Sequence, residues 1–438
     1  MAEVAVVGGG VVGLTLALRW AEAGHRVTLL EGAAQPGGLA APHLVGDVTW
    51  DRFYHVILES DRALLGLIDA LGLRDRVQWG TTRTGFYTDG RFHSLSTSLD
   101  FLRFPPLSLF DKARLAATIV RASRIQDGEA LEAETVEAWL VRWSGRRTFE
   151  RIWRPLLEAK LGTNWRRVSA AFIWAIIARM YAARRSGLKR ERFGHLAGGY
   201  ATLLTSMRQA LESRGVVLRT GAFVERLQRA GSRVRVECAG APALLADHAV
   251  LTIPTTRIAA LLPELADEER ERYARVQYQG VICASVLLDR PLGGYYVTNI
   301  TDPGFPFTTV IEMSALVPPS TFGGLTLAYL PRYCPADDAW WGRSDDEIGA
   351  ELLGGLRRLY PDLPTQAVRH IVISRAREVQ ALPTLHYRRD AVPPRTTSLG
   401  TVHVVNSAQI LNGTLNANEG VALAEAAARD LSTLFGTP

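Results

Sequence analysis

Val4-Ala5-Val6-Val7-Gly8-Gly9-Gly10-Val11-Val12-Gly13 decides the fold. Four consecutive apolar, mostly β-branched residues running straight into glycine read as a strand buried on both faces, the kind found inside a parallel sheet. Gly8, Gly10 and Gly13 then fit G-x-G-x-x-G, and a helical pattern occupies residues 11–23 before Gly24 closes it as a C-cap. A second strand, Arg26-Val27-Thr28-Leu29-Leu30, ends on Glu31. The three glycines serve different ends. Gly8 permits the tight turn, Gly10 lets backbone approach a pyrophosphate, and Gly13 lets helix and strand pack closely. The helix N-terminus offers unpaired N–H groups and partial positive charge to phosphates. Glu31, 18 residues beyond Gly13, is placed to accept hydrogen bonds from ribose hydroxyls. An acid there also disfavours a 2′-phosphate. Strand, glycines, helix, strand and acid in this order predict a dinucleotide site.

The rest of the chain fits an enzyme. Its 438 residues can hold two or three lobes with their own cores, and 47% hydrophobic with 21% charged residues is ordinary for a globular protein. Cys238, Cys283 and Cys334 stand far apart with no C-x-x-C, which disfavours a dithiol redox centre and a zinc site; no metal is expected. No run of about 18 apolar residues predicts a spanning helix. The N-terminus lacks the basic region of a secretory signal, so the cytoplasm is the expected compartment. Net charge is +6, yet residues 142–192 alone carry twelve Arg, two Lys and three Glu, a local +11.

Gly37-Gly38 follows Glu31 by six and seven residues. At this point the sequence resembles the FAD-dependent amine oxidase superfamily, which includes protoporphyrinogen oxidases and phytoene desaturases. Three further stretches are similar. One is His195-Leu196-Ala197-Gly198-Gly199-Tyr200 with the helix and strands beyond it. The others are residues 247–254, ending on Pro254, and residues 402–406 with Asn418-Glu419-Gly420-Val421. The resemblance implies FAD as cofactor, held by Gly8, Gly10, Val12 and Gly13, by Glu31 and Gly32, and by Gly37, Gly38 and Leu39. It implies Val224 against the adenine, Pro254 near the flavin, and Gly420 and Val421 at a closing helix whose N-terminus points at the flavin pyrimidine. Two departures stand out: Leu39 replaces an Arg common after the second Gly-Gly, and Asn406-Ser407 replaces a Gly-Asp.

The expected fold is α/β: a Rossmann-type FAD-binding lobe interleaved with an α+β substrate lobe that carries a helical cap. The FAD lobe is expected from residues 1–75, 193–258 and 396–438, a mostly helical cap from 76–192, and the substrate sheet from 259–395. Within these, helices are predicted at 61–71 and 345–359, and a hairpin at 86–95 about Asp89-Gly90. Strands are predicted at 281–288, 325–330 and 370–379.

Hydride transfer to a flavin needs no catalytic triad, so the candidates are few. His55 is placed to hydrogen-bond flavin or substrate, or else to sit satisfied at a helix start. Lys160 is the one lysine suited to the family's water-bridged position, against a surface or ion-paired reading. Tyr387 lines the cavity or is ordinary core, and Glu312 faces cavity or solvent. The arginine-rich segment 142–192 has three readings besides a solvated basic face over a buried core helix. Its tryptophans suggest stacking on nucleic acid, which is not expected. Its apolar run 168–183, flanked by Arg166-Arg167 and Arg184-Arg185, suggests a membrane surface. Its arginines suggest an anionic head group on the substrate. The expectation is a cytoplasmic, membrane-peripheral oxidoreductase acting on a small, largely apolar or lipidic molecule. The alternatives are a redox-neutral mutase resembling UDP-galactopyranose mutase, and a non-catalytic FAD protein.

Overall fold

A computed structural model describes residues 1–183 and 192–435. The strand Glu3–Val7 lies at the centre of a five-stranded parallel sheet. Arg26–Glu31 and then Val217–Thr220 flank it on one side, and His248–Leu251 and then Val402–Val404 on the other. Strands from the start, middle and end of the chain thus make one sheet, and the protein is a mixed α/β fold of the expected kind. Leu14, Leu16, Leu18 and Trp20 of the helix Val11–Glu22 are buried against the sheet and the closing helix Ala417–Ser432. The antiparallel strands Val224–Ala230, Arg233–Cys238 and Ala241–Ala246 cover the other face.

A second, seven-stranded sheet is built about Tyr278–Leu288, buried at every position because it has strands on both edges and packing on both faces. Val368–Ala381 and Thr326–Cys334 are its antiparallel neighbours. The hairpin Thr84–Thr88/Arg91–Ser94 forms the far edge, turning at Asp89-Gly90 with positive φ at both residues, as a two-residue hairpin turn requires. The helix Asp345–Leu359, opened by a Ser344/Glu347 capping box, covers one face. The loop carrying Phe53 and Leu58 packs on the other.

The helices Leu109–Arg124, Val136–Ser144, Arg154–Leu161 and Ala170–Ala183 form the cap. Here the structure corrects the reading of the run 168–183 as a membrane-interface helix. Ala170 through Ala175 are all buried, and Trp174 donates to the carbonyls of Ala122 and Ile125 at 3.1 and 3.3 Å. The run is the cap's own core, and Trp165 is buried there too, closed to a stacking base. Part of the charge excess is paired as well. Arg142, Arg146, Arg147, Arg151, Arg154, Arg179 and Arg192 each meet a carboxylate. The pair Arg184-Arg185 lies outside the described residues.

Candidate functional site

The glycine turn has the geometry its spacing predicts. Gly8 sits at φ 108°, and its N–H donates to Leu30 at 2.8 Å. A Cβ on residue 13 would stand 1.9 Å from the Gly8 carbonyl oxygen, so only glycine fits. A Cβ on residue 10 would meet nothing within 4 Å: backbone here borders open space. Gly37, at φ 137°, donates to the Gly9 carbonyl at 2.8 Å, and a Cβ on Gly38 would reach Gly10 Cα at 3.2 Å. The two glycine turns therefore abut beside the N-terminus of the helix Val11–Glu22, whose leading amides, Val12 included, have no intrahelical partner. Glu31 braces this arrangement, accepting from Gly9 N–H at 2.6 Å and Ala33 N–H at 2.7 Å. Each carboxylate oxygen keeps lone-pair capacity for a further donor.

Beside Glu31, the amide of Ala222 donates to the Glu31 carbonyl, and a Cβ on Gly32 would touch the ring of Phe223 at 3.3 Å. Strand alternation turns Val224 into the core while Phe223 is 58% exposed next to Gly32. Phe223 was not singled out from the sequence. Its only signal was its place one residue before the strand.

Pro254 caps the helix Thr255–Leu261. Just before it, Thr252 donates to the carbonyls of Val7 or Gly8, both at 3.0 Å, tying this strand end to the glycine turn. Asn406, where the family has its Gly-Asp, is buried and donates to the Ile253 carbonyl at 2.8 Å. Its place in the fold is kept by an amide instead of a carboxylate. The closing helix begins one turn earlier than Gly420-Val421 suggests. Asn416 is its N-cap, and Gly420 N–H is already bonded to Asn416 C=O at 3.1 Å. Its free leading amides are thus those of Ala417 and Asn418, not Val421. A Cβ on Gly420 would lie 3.5 Å from Val12, so the two helix N-termini meet there. A third joins them: Asn418 Oδ1 accepts from the amides of Ala63 and Leu64 at 3.0 and 3.2 Å, in the first turn of Arg62–Ala70.

The candidate catalytic residues separate into two places. His55 does not open a helix. Its ring packs on Tyr200 at 4.7 Å, with Nδ1 3.7 Å from the buried carboxylate of Asp51. Asp51 accepts from Tyr200 N–H at 2.7 Å, at the start of the helix after Gly198-Gly199. Next to His55 in sequence, Tyr54 shares a 2.8 Å hydrogen bond with Tyr333, and burial drives its phenol well above the usual range. Lys160, partly exposed and without an ion pair among the described residues, lies over the Tyr333 ring at 5.1 Å. Nearby, Asn164 donates to Gln279, whose buried Nε2 has no partner. Tyr387 lies apart. Its hydroxyl donates to the Ala408 carbonyl at 2.9 Å beside a small cavity lined by Phe172, Ser407 and Leu411. Glu312 faces neither cavity nor solvent; it accepts from the amides of Leu292, Gly293 and Gly294 at 2.9–3.1 Å and holds that loop.

The family profile described as "Flavin containing amine oxidoreductase" matches residues 12–415. A curated relative, the chloroplastic/chromoplastic 15-cis-phytoene desaturase of Narcissus pseudonarcissus, is 37% identical over 78 residues. That match covers 18% of this chain and only 14% of the desaturase. Among solved structures, a candidate protoporphyrinogen oxidase from Exiguobacterium sp. 255-15 superposes with TM-score 0.77 at 19% identity over 99% of both chains. Putrescine oxidase bound to putrescine gives 0.74 at 17%, again over 99% of both. A CLA-producing fatty acid isomerase from P. acnes gives 0.72 at 13%, also over 99% of both.

Proposed function

Since the chain belongs to the flavin-containing amine oxidoreductase family and is an FAD-dependent oxidoreductase, we propose that it oxidises a small, largely apolar or lipidic molecule. The residues fit the cofactor, and the carrying observation is the open space over Gly10 beside the Gly37-Gly38 turn, where a side chain would otherwise fit freely. Gly8 makes the turn, its own amide bonded to Leu30, while Gly10, Val12 and Gly13 would offer backbone amides to the pyrophosphate. Glu31 and Gly32 face the ribose, with Phe223 and Val224 by the adenine. Gly37, Gly38, Leu39 and Pro254 follow the chain toward the ring, and the Ala417 and Asn418 amides take the place first given to Gly420 and Val421. Residues 1–75, 193–258 and 396–438 make up the cofactor lobe, and the remainder the substrate lobe and cap. Bound FAD supplies the hydride acceptor at N5.

This chain's own residues supply the surroundings. Tyr54 and Tyr333 share a hydroxyl pair packed beside Phe53, Val281 and Ile311, surroundings that would suit an apolar substrate with one polar anchor. Lys160 over Tyr333 adds the positive charge that would hold an anionic or hydroxyl group there. His55 and Asp51 position the Tyr54 segment. The described part of residues 142–192 offers little to a membrane, since its arginines are mostly ion-paired and its apolar run is buried. No helix among the described residues is long and apolar enough to cross a membrane.

A redox-neutral isomerisation of an apolar chain is the second reading, favoured by the fatty acid isomerase among the structural neighbours. Diphosphate binding by the arginines, which a sugar mutase would use, loses support with those arginines paired. Anaerobic mixing with candidate substrates separates the readings. Stoichiometric bleaching of the oxidised flavin supports net oxidation, product formed with the flavin spectrum unchanged supports isomerisation, and neither outcome with any bound apolar compound overturns both.

A further inference from the structure

One face of the cap is apolar and open. Along Leu109–Arg124, residues Leu109, Phe110, Ala113, Ala116, Ala117 and Val120 recur at helical spacing and are all exposed, Leu109 by 73% and Phe110 by 70%. The preceding helix, Ser98–Arg103, adds exposed Leu99 and Leu102 beside them. Scattered apolar residues are normal on a surface, but a whole helical stripe continued on the next helix is not. The opposite face explains why the helix does not simply roll over. Leu115 and Ile119 pack with Phe104, Leu107 and Ile152, so the core is already served.

The patch is also rigid and one-signed. Thr97/Asp100 and Ser108/Asp111 capping boxes fix both helix starts, and Lys112 Nζ donates to the Leu102 carbonyl at 2.8 Å, clamping one helix to the other. Residues 98–124 contain Arg103, Lys112, Arg114, Arg121 and Arg124 against two acids, Asp100 and Asp111. Both acids are spent on the capping boxes. Arg103 and Arg124 stand exposed at the rims, Arg114 lies 5.9 Å from the Phe110 ring, and Arg121 covers Trp143 at 3.8 Å. Apolar side chains in the middle, cations at the edge and no free carboxylate are the complement of an anionic lipid surface: acyl chains under the stripe, phosphates at the arginines.

We propose that residues 98–124 are the surface by which this protein docks on an anionic lipid bilayer. Such docking is independent of the substrate assigned above. The test is co-sedimentation of the flavin-loaded protein with vesicles of phosphatidylcholine, with and without phosphatidylglycerol. Wild type should sediment with the anionic vesicles, less with the neutral ones, and less again in high salt. Leu109→Ser/Phe110→Ser and, separately, Arg103→Glu/Arg124→Glu should each cut binding by about tenfold or more, with flavin content and near-UV circular dichroism unchanged. Wild type staying in the supernatant with anionic vesicles overturns the proposal. So does a dimer by light scattering that Leu109→Ser/Phe110→Ser dissociates, because a second copy would then cover the patch. Should the serine variant lose its fold, Phe110→Trp replaces it. Its added emission should be quenched by brominated phospholipid in the anionic vesicles, and no quenching rejects the docking surface.

Discussion

Arg179 grips Asp61 with two nitrogens, Nη1 to Oδ1 at 2.9 Å and Nη2 to Oδ2 at 3.1 Å. The arginine belongs to the buried helix Ala170–Ala183, and the aspartate directly precedes the helix Arg62–Ala70, whose first amides Asn418 caps. Asp61 is 2% exposed, and among the described residues its carboxylate has one further partner, the Leu58 amide at 2.9 Å. Arg179→Met should therefore leave a buried carboxylate with one hydrogen bond, costing about 3 kcal/mol, whereas the double variant with Asp61→Asn should recover part of that loss. Thermal unfolding of wild type and the two variants checks this, and equal melting temperatures would show the pair to be idle.

The glycines at 10 and 13 predict opposite failures. Gly13→Ala collides with the Gly8 carbonyl and should destabilise the apoprotein itself, since backbone must move to admit the methyl. Gly10→Ala meets nothing, so apoprotein stability should hold within about 1 kcal/mol while FAD retention falls. Apoprotein melting and flavin released on denaturation read the two effects separately.

Tyr54 and Tyr333 should be non-additive. Removing either hydroxyl strands the other in an apolar setting at about 1–2 kcal/mol, but Tyr54→Phe/Tyr333→Phe strands neither and should cost less than the sum of the singles. Urea denaturation of the single and double variants is the measurement. Strict additivity would mean the hydroxyls do not share a bond.

Much of this was legible in the sequence because its signals are local. Ser344 followed three residues later by Glu347 set the start of Asp345–Leu359 without ambiguity. Gly8 through Glu31 specified strand, turn and helix within one supersecondary unit. What escaped depends on distant partners. Nothing near Asn418 announces that it caps a helix 355 residues away, and nothing near Glu312 reveals the three amides of the neighbouring loop. The run 168–183 stayed open between a membrane surface and a buried core helix for a related reason. An unbroken apolar pattern is the same whether lipid or protein covers it, and here the cover comes from residues 119–141.

Acid lability should carry a histidine signature. Burial, reinforced by the neighbouring His248, lowers the His403 pKa from 6.5 to about 4. A lowered folded value means the unfolded chain binds the proton first on acidification. The stabilisation is thus full above pH 6.5 and is lost as pH falls toward about 4, by about 3 kcal/mol. His403→Gln, which can still hydrogen-bond with Thr396, should flatten the stability profile across that window. An unchanged profile in pH-dependent denaturation would place the acid sensitivity elsewhere.

The parallel sheet also sets an order of events during synthesis. The first strand emerges from the ribosome long before residues 248–251 that pair with it, and longer still before Val402–Val404 complete the edge. Arg19 and Trp20 find Glu425 and Ala428 only when the last helix arrives. Vectorial translation therefore exposes the glycine turn as an unfinished half-socket for most of the chain's elongation. A cofactor held, as proposed, by the glycine turn and by the Ala417–Ser432 helix would bind the finished chain far better than a nascent fragment that lacks the later helix, so its capture would favour completed molecules.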